Sequence, residues 1–148
     1  MTQRLNYMEQ SPELTKKFLA FSQQLTQSAI EQSIIDLVVL RASQMNGCTF
    51  CIDMHVKEAK IHGERELRVH HVAGWRESTL FAPRERAALA WTEALTQLEG
   101  GVGDEVYAQA SAEFSEQELL YLTSAVASIN VWNRFGVAYR WTPPPRAS

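Results

Sequence analysis

Residues 31–63 read EQSIIDLVVLRASQMNGCTFCIDMHVKEAKIHG, an apolar run that leads directly into a Cys-x-x-Cys pair. Ile34, Ile35, Leu37, Val38, Val39 and Leu40 are apolar almost all round, as expected of a central buried helix. A buried strand over 34–40 fits the same letters. Helix is favoured because the segment continues through Arg41, Ala42, Ser43, Gln44 and Met45 and meets no turn signal before Asn46 and Gly47. The spacing then predicts a second helix that opens around Cys48 and stops near His62 and Gly63, so the cysteine pair sits at a helix start.

Outward from this stretch the punctuation remains helical. Ser11 and Pro12 read as a cap and first helical residue, followed by Leu14, Phe18, Phe21 and Leu25 at steps of three and four. Glu64 to about Ala73 forms another helix. Pro83 starts the next, with the stripe Ala87, Ala88, Trp91, Leu95 and Leu98 running into the Gly100–Gly103 loop. Asp104 is expected to cap a short helix to about Ala112. Ser115 with Glu118 forms a capping box ahead of Leu119, Leu122, Val126 and Ile129, in a final helix reaching roughly Tyr139. No period-two alternation and no repeat is seen. The expected architecture is a single all-α domain over residues 1–148, a bundle of six or seven helices with its core at about 10–140.

Composition narrows the function classes. Hydrophobic residues at 45% and charged residues at 21% are ordinary for a globular chain, which excludes disordered and collagen-like classes. Fourteen basic against seventeen acidic residues, with the basic ones scattered, leave no footprint for nucleic acid. No uncharged apolar run approaches the ~18 residues of a spanning helix, and no signal-peptide core is visible, so a soluble cytoplasmic protein without a membrane partner is expected. Two cysteines are too few for a secreted disulfide scaffold, and their spacing of three points to chemistry.

Cys48, Cys51 and His55 fall on one helical face. Helical positions i and i+3 place Cα atoms ~5–6 Å apart, within disulfide range, so the pair can open and close with little backbone movement. Free N–H groups at a helix start favour a thiolate, and His55, one turn beyond Cys51, can accept its proton. Other readings exist: two inert buried thiols, or half of a zinc site completed by His62, His70 or His71. Three ligands on one helix face cannot by themselves surround zinc, and those three histidines are treated as structural or exposed. Asp36 is a lone carboxylate in an apolar run and must be solvated or paired. Either it belongs to a thin polar stripe with Gln32 and Ser43, or it orients His55 or shares its proton, directly or through water. Asn133, on the apolar stripe of the last helix, needs a partner inside the core. The four tryptophans read as core and interface mass.

The pattern Asn46-Gly47-Cys48-x-x-Cys51-x-x-x-His55-x-x-x-Ala59-Lys60-x-x-Gly63 resembles the carboxymuconolactone decarboxylase-like superfamily, in its alkyl hydroperoxidase D-like branch. Trp75-Arg76-Glu77-Ser78, Arg84-Glu85-Arg86-Ala87-Ala88-Leu89 and Ile129-Asn130-x-Trp132-Asn133-Arg134 extend the likeness. The resemblance implies an all-α fold assembled as trimers or hexamers and a thiol-dependent peroxidase or disulfide-reductase activity. It implies that Cys51 meets the peroxide, Cys48 resolves the product and His55 relays the proton. Asp36 stands where the family commonly has a glutamate, and Phe50 where the best-known branch has a histidine between the cysteines. Retention of both cysteines argues against lactone decarboxylation. No flavin, haem or nucleotide motif is present, so no cofactor is expected and the reducing equivalents must come from an external dithiol or protein reductant. The main rival is an adaptor that passes electrons to a partner peroxidase. A metal-binding or purely structural oligomer is the alternative of a different class.

Overall fold

In the computed structural model, which describes residues 1–144, the chain folds into eight α-helices. They are α1 (Tyr7–Gln10), α2 (Pro12–Leu25), α3 (Gln32–Asn46), α4 (Thr49–Ile61), α5 (Glu66–His71), α6 (Pro83–Thr96), α7 (Asp104–Glu113) and α8 (Glu116–Ala138), with a 3-10 turn at Val72–Gly74. The all-α expectation holds, and no strand occurs among the described residues. Seven helices coincide with the segments read from sequence. The eighth, α1, is a single turn whose first N–H groups are met by Asn6, its side-chain oxygen accepting from Met8 N at 3.2 Å. Asp104 is the first residue of α7 and Gly103 its cap, one residue earlier than expected. The Ser115–Glu118 capping box forms: Glu118 N donates to Ser115 Oγ at 3.2 Å and Ser115 N to Glu118 Oε2 at 2.8 Å. Among the described residues no helix is long and apolar enough to cross a membrane.

Helix α3 is central because two of its faces are apolar and each meets a different cluster. Ile34 and Val38 pack with Ala88, Trp91, Leu122 and Val126 from α6 and α8. Leu37 and Leu40 pack with Ala59, Val72, Trp75 and Leu89 on the α4–α6 side. That explains the apolar run around Asp36: both faces of α3 lose water, so neither tolerates a polar residue without a partner.

Polar anchors lock the surrounding helices. Glu93 on α6 accepts from Arg41 Nε at 2.8 Å, from Trp75 Nε1 at 2.8 Å, and from Arg76. Burial alone would push its carboxyl up, but these three donors outweigh it and hold the group below the usual carboxylate range. Arg68 on α5 bridges Glu64 and Glu85, tying the short helix to α6.

Candidate active site

The turn between α3 and α4 positions the cysteines. Gly47 ends α3 with φ +65, a left-handed conformation that glycine adopts without a Cβ clash, and its N–H bonds back to Gln44 O. Cys48 follows as the N-cap of α4, with extended backbone, and its Sγ accepts from Cys51 N at 3.3 Å. Cys48 and Cys51 are joined in a disulfide with Cα atoms 5.3 Å apart. Both residues are almost wholly buried, at 2% and 3% exposure.

Their cover comes from α8. A Cβ added to Gly136 would stand 2.5 Å from Cys48 Sγ and 3.4 Å from Cys51 Sγ, so the sulfurs occupy the space a side chain would need. A glycine in a helix interior costs roughly 0.5–1 kcal/mol relative to alanine, and here the close sulfur contact is the reason for it. Three residues earlier, α8 also grips the end of α3. Asn133 Nδ2 donates to Ser43 Oγ at 3.0 Å, and Asn46 Nδ2 donates to Asn133 Oδ1 at 2.9 Å and to Asn130 Oδ1 at 3.0 Å. The partner that Asn133 needed is therefore the last turn of α3, immediately before the cysteine turn. On the other side, Phe50, between the cysteines, meets Trp141 edge-on at 5.4 Å, and Trp141 in turn lies 4.6 Å from Tyr7.

His55 sits one turn past Cys51 and is buried. Its Nδ1 is 2.9 Å from Glu58 Oε2. With a carboxylate there, Nδ1 carries the proton and Nε2 presents its lone pair in the neutral ring. Nε2 is the one buried side-chain nitrogen or oxygen without a hydrogen-bond partner among the described residues. The hydrogen bond from His55 lowers the Glu58 carboxyl; partial burial opposes this, and the charges of His55 and His62 add to the lowering.

Asp36 is placed elsewhere than the paired reading expected. Its Oδ2 is 2.9 Å from His62 Nδ1, and its Oδ1 accepts from Gln32 Nε2 at 2.9 Å. The carboxylate touches His62 and not His55. The reason lies in the α3–α4 pairing. Asp36 lies eleven residues before Gly47 and His55 eight after it, in two helices packed side by side. Helical side chains lean toward their own N-terminus, so Asp36 leans away from the turn and His55 toward it. Their tips diverge, and Asp36 meets the more exposed His62, farther from the turn. This pair lines a cleft of about 420 Å³ together with Gln32, Ser33, Gly63 and Arg65. The polar stripe is thus real in part: Gln32 and Asp36 bond to each other, whereas Ser43 turns to its own helix and to Asn133. His70 is exposed beside Glu66, and His71 Nδ1 lies 2.9 Å from Ser78 Oγ, so neither joins the cysteines.

The family model for carboxymuconolactone decarboxylases matches residues 12–94, more than half of the chain. The chain belongs to the carboxymuconolactone decarboxylase family. Within that family it is similar to an uncharacterized Bacillus subtilis protein, YdfG, at 37% identity over 93% of this chain and 95% of that one. It also matches the crystal structure of an Agrobacterium tumefaciens protein of unknown function, provisionally named for antioxidant defence as AhpD. There the TM-score is 0.93, with 38% identity over 97% of this chain and 99% of that one. An uncharacterized peroxidase-related protein from Ralstonia eutropha, described as an alkylhydroperoxidase AhpD core, shares the fold with a TM-score of 0.82. Its identity is 18%, over 93% of this chain and 74% of that one. The AhpD-like fold and a cysteine pair within disulfide reach are compatible with a redox role in this family member.

Two contributors escaped sequence reasoning. Glu58 was legible only as one more acid on a helix; its position three residues after His55 was the available signal. Gly136 interrupts an otherwise good helix former without a turn nearby, which marks a close approach but does not say to what.

Proposed function

We propose that this chain is a thiol-dependent peroxidase or disulfide reductase that reduces organic hydroperoxides through Cys48 and Cys51. In the reduced protein His55 Nε2 takes the proton from the Cys51 thiol. The thiolate attacks the distal peroxide oxygen and the O–O bond breaks. Sulfur loses two electrons and becomes a sulfenic acid, and the imidazolium returns its proton to the departing alkoxide, giving an alcohol. The Cys48 thiol then displaces water from the sulfenic acid and closes the disulfide. An external dithiol restores both thiols, supplying two electrons and two protons and leaving as its own disulfide.

The observation that carries this reading is the combination of a bridged, buried cysteine pair at a helix start with a buried imidazole nitrogen free to act as a base. Burial by itself would raise a thiol pKa, so a base alongside is what makes a thiolate accessible. The same burial favours small substrates over the disulfide of a folded partner, which would need an exposed sulfur.

The test is peroxide consumption with a small dithiol donor. Cys51→Ser should lose turnover by three orders of magnitude or more, and Cys48→Ser should trap a sulfenic acid or mixed disulfide at Cys51, seen by mass spectrometry. Wild-type turnover in Cys51→Ser would refute the assignment. Faster reduction of a partner protein's disulfide than of peroxide would shift it to the adaptor role.

A further inference from the structure

We infer that Glu58 is the positioning residue for His55: it holds the imidazole so that Nε2 is the basic nitrogen, and it provides the route by which the proton leaves the buried site. The inference rests on the reading above and names a residue that reading does not contain. The α3 carboxylate, Asp36, is engaged with His62, and Glu58 Oε2 is the acceptor that meets His55 Nδ1, at 2.9 Å. Its location suits both tasks. The imidazole is buried, while the Glu58 side chain is 47% exposed, so one end of the hydrogen bond is dry and the other touches water. When Nε2 accepts the Cys51 proton, the ring becomes an imidazolium whose Nδ1 proton is already on the bond to Glu58. A proton passing along that bond reaches solvent without crossing the apolar core, and the reverse path recharges the ring.

Other charged groups around α4 are committed elsewhere. On α3, Arg41 binds Glu93 and Asp36 binds His62 and Gln32. On α5, Arg68 bridges Glu64 and Glu85, and Glu66 lies 3.8 Å from both Lys60 and His70. On α8, Arg134 donates to Asn130 and Glu118 accepts from Arg84. On α4 itself, Lys57 is paired with Asp53 at 2.6 Å, leaving His62, one turn beyond, as the other charge felt by Glu58. The carboxylate stabilises the imidazolium, which stabilises the thiolate; removing it raises the pH at which Cys51 ionises.

The experiment measures that pH directly. Alkylation of Cys51 by iodoacetamide against pH, in the reduced Cys48→Ser background, gives the midpoint, and peroxide turnover of the full chain gives kcat and KM. Glu58→Gln keeps the shape and removes the charge. It is expected to raise the alkylation midpoint by about one pH unit. In the full chain it should lower kcat about 10- to 100-fold, with KM changed less than about twofold. Asp36→Asn, acting at His62, should move the midpoint by less than about a third as much. A Glu58→Gln profile that superimposes on its parent overturns the inference, as does an Asp36→Asn shift equal to or larger than that of Glu58→Gln. The alkylation arm uses no peroxide. A shifted midpoint in a protein that never turns over peroxide would therefore sink the peroxidase reading and leave the role of Glu58 standing.

Discussion

Helix α4 and its C-cap residue His62 take part in two imidazole–carboxylate pairs, the second with Asp36 of α3, with the same 2.9 Å separation and opposite environments. In the pair near its start, His55 is 10% exposed and Glu58 47%; in the pair at its end, His62 is 41% exposed and Asp36 5%. Burial decides what each pair can do. Where the ring is the dry member, its second nitrogen has no hydrogen-bond partner among the described residues, which is what the proposed proton transfer from a thiol requires. Where the carboxylate is the dry member, its oxygens are consumed by Gln32 and His62, and the ring is the partner that faces solvent. A histidine on the right helical face is therefore insufficient as a signature of acid–base work; which partner lies inside matters equally.

The contrast breaks most visibly if the two rings are exchanged for amides. His55→Gln should reduce peroxide turnover by about 10²–10⁴-fold, the usual contribution of a general base, whereas His62→Gln should change it by less than about threefold. Equal losses in steady-state assays would erase the distinction between the ends of the helix.

Sulfur packing gives a smaller effect. Gly136→Ala forces a methyl into the 2.5 Å position beside Cys48 Sγ, and overpacking of this kind costs about 1–3 kcal/mol. The loss should be larger in the oxidised protein, whose sulfurs are tied together, than in the reduced one, whose thiols can rotate away. Thermal unfolding with and without dithiol checks this, and identical losses in both states would show that the disulfide is not what fills the space.

The smallest effect is electrostatic. The His55 hydrogen bond holds the Glu58 carboxyl below its ordinary value, so this group stabilises the fold at pH above the ordinary carboxylate range. The stabilisation is lost as pH falls through the lowered folded value. Because Glu58 meets solvent, screening limits it to less than about 1 kcal/mol. Urea midpoints of wild type should decline between about pH 5 and 3 more steeply than those of Glu58→Gln, and parallel curves would show that the hydrogen bond adds nothing to stability.

Much of this molecule is visible before folding is considered. Pro12, Gly47, Pro83, Ser115 and Glu118 mark helix ends because each solves a local backbone problem, and those ends fall where expected. The Cys48–Cys51–His55 register follows from 3.6 residues per turn and is equally local. Asp36 is the instructive case. Its neighbours in sequence show that it needs a partner, but the choice between His55 and His62 depends on how far each side chain leans along two packed helices. Asn133 was likewise recognisable as a buried amide in search of a partner, and only the approach of α8 to α3 supplied Ser43 and Asn46.

Local rules of helix geometry and capping are written residue by residue, so the amino-acid order alone determined an all-helical chain with two cysteines and an imidazole along one edge. Tertiary structure decided which groups are wet. It sealed the sulfurs under Gly136, left one nitrogen of His55 unbonded, and turned Asp36 toward a cleft. Burial and hydrogen bonding between helices distant in sequence are sums over the whole packing, and no window of the chain contains them.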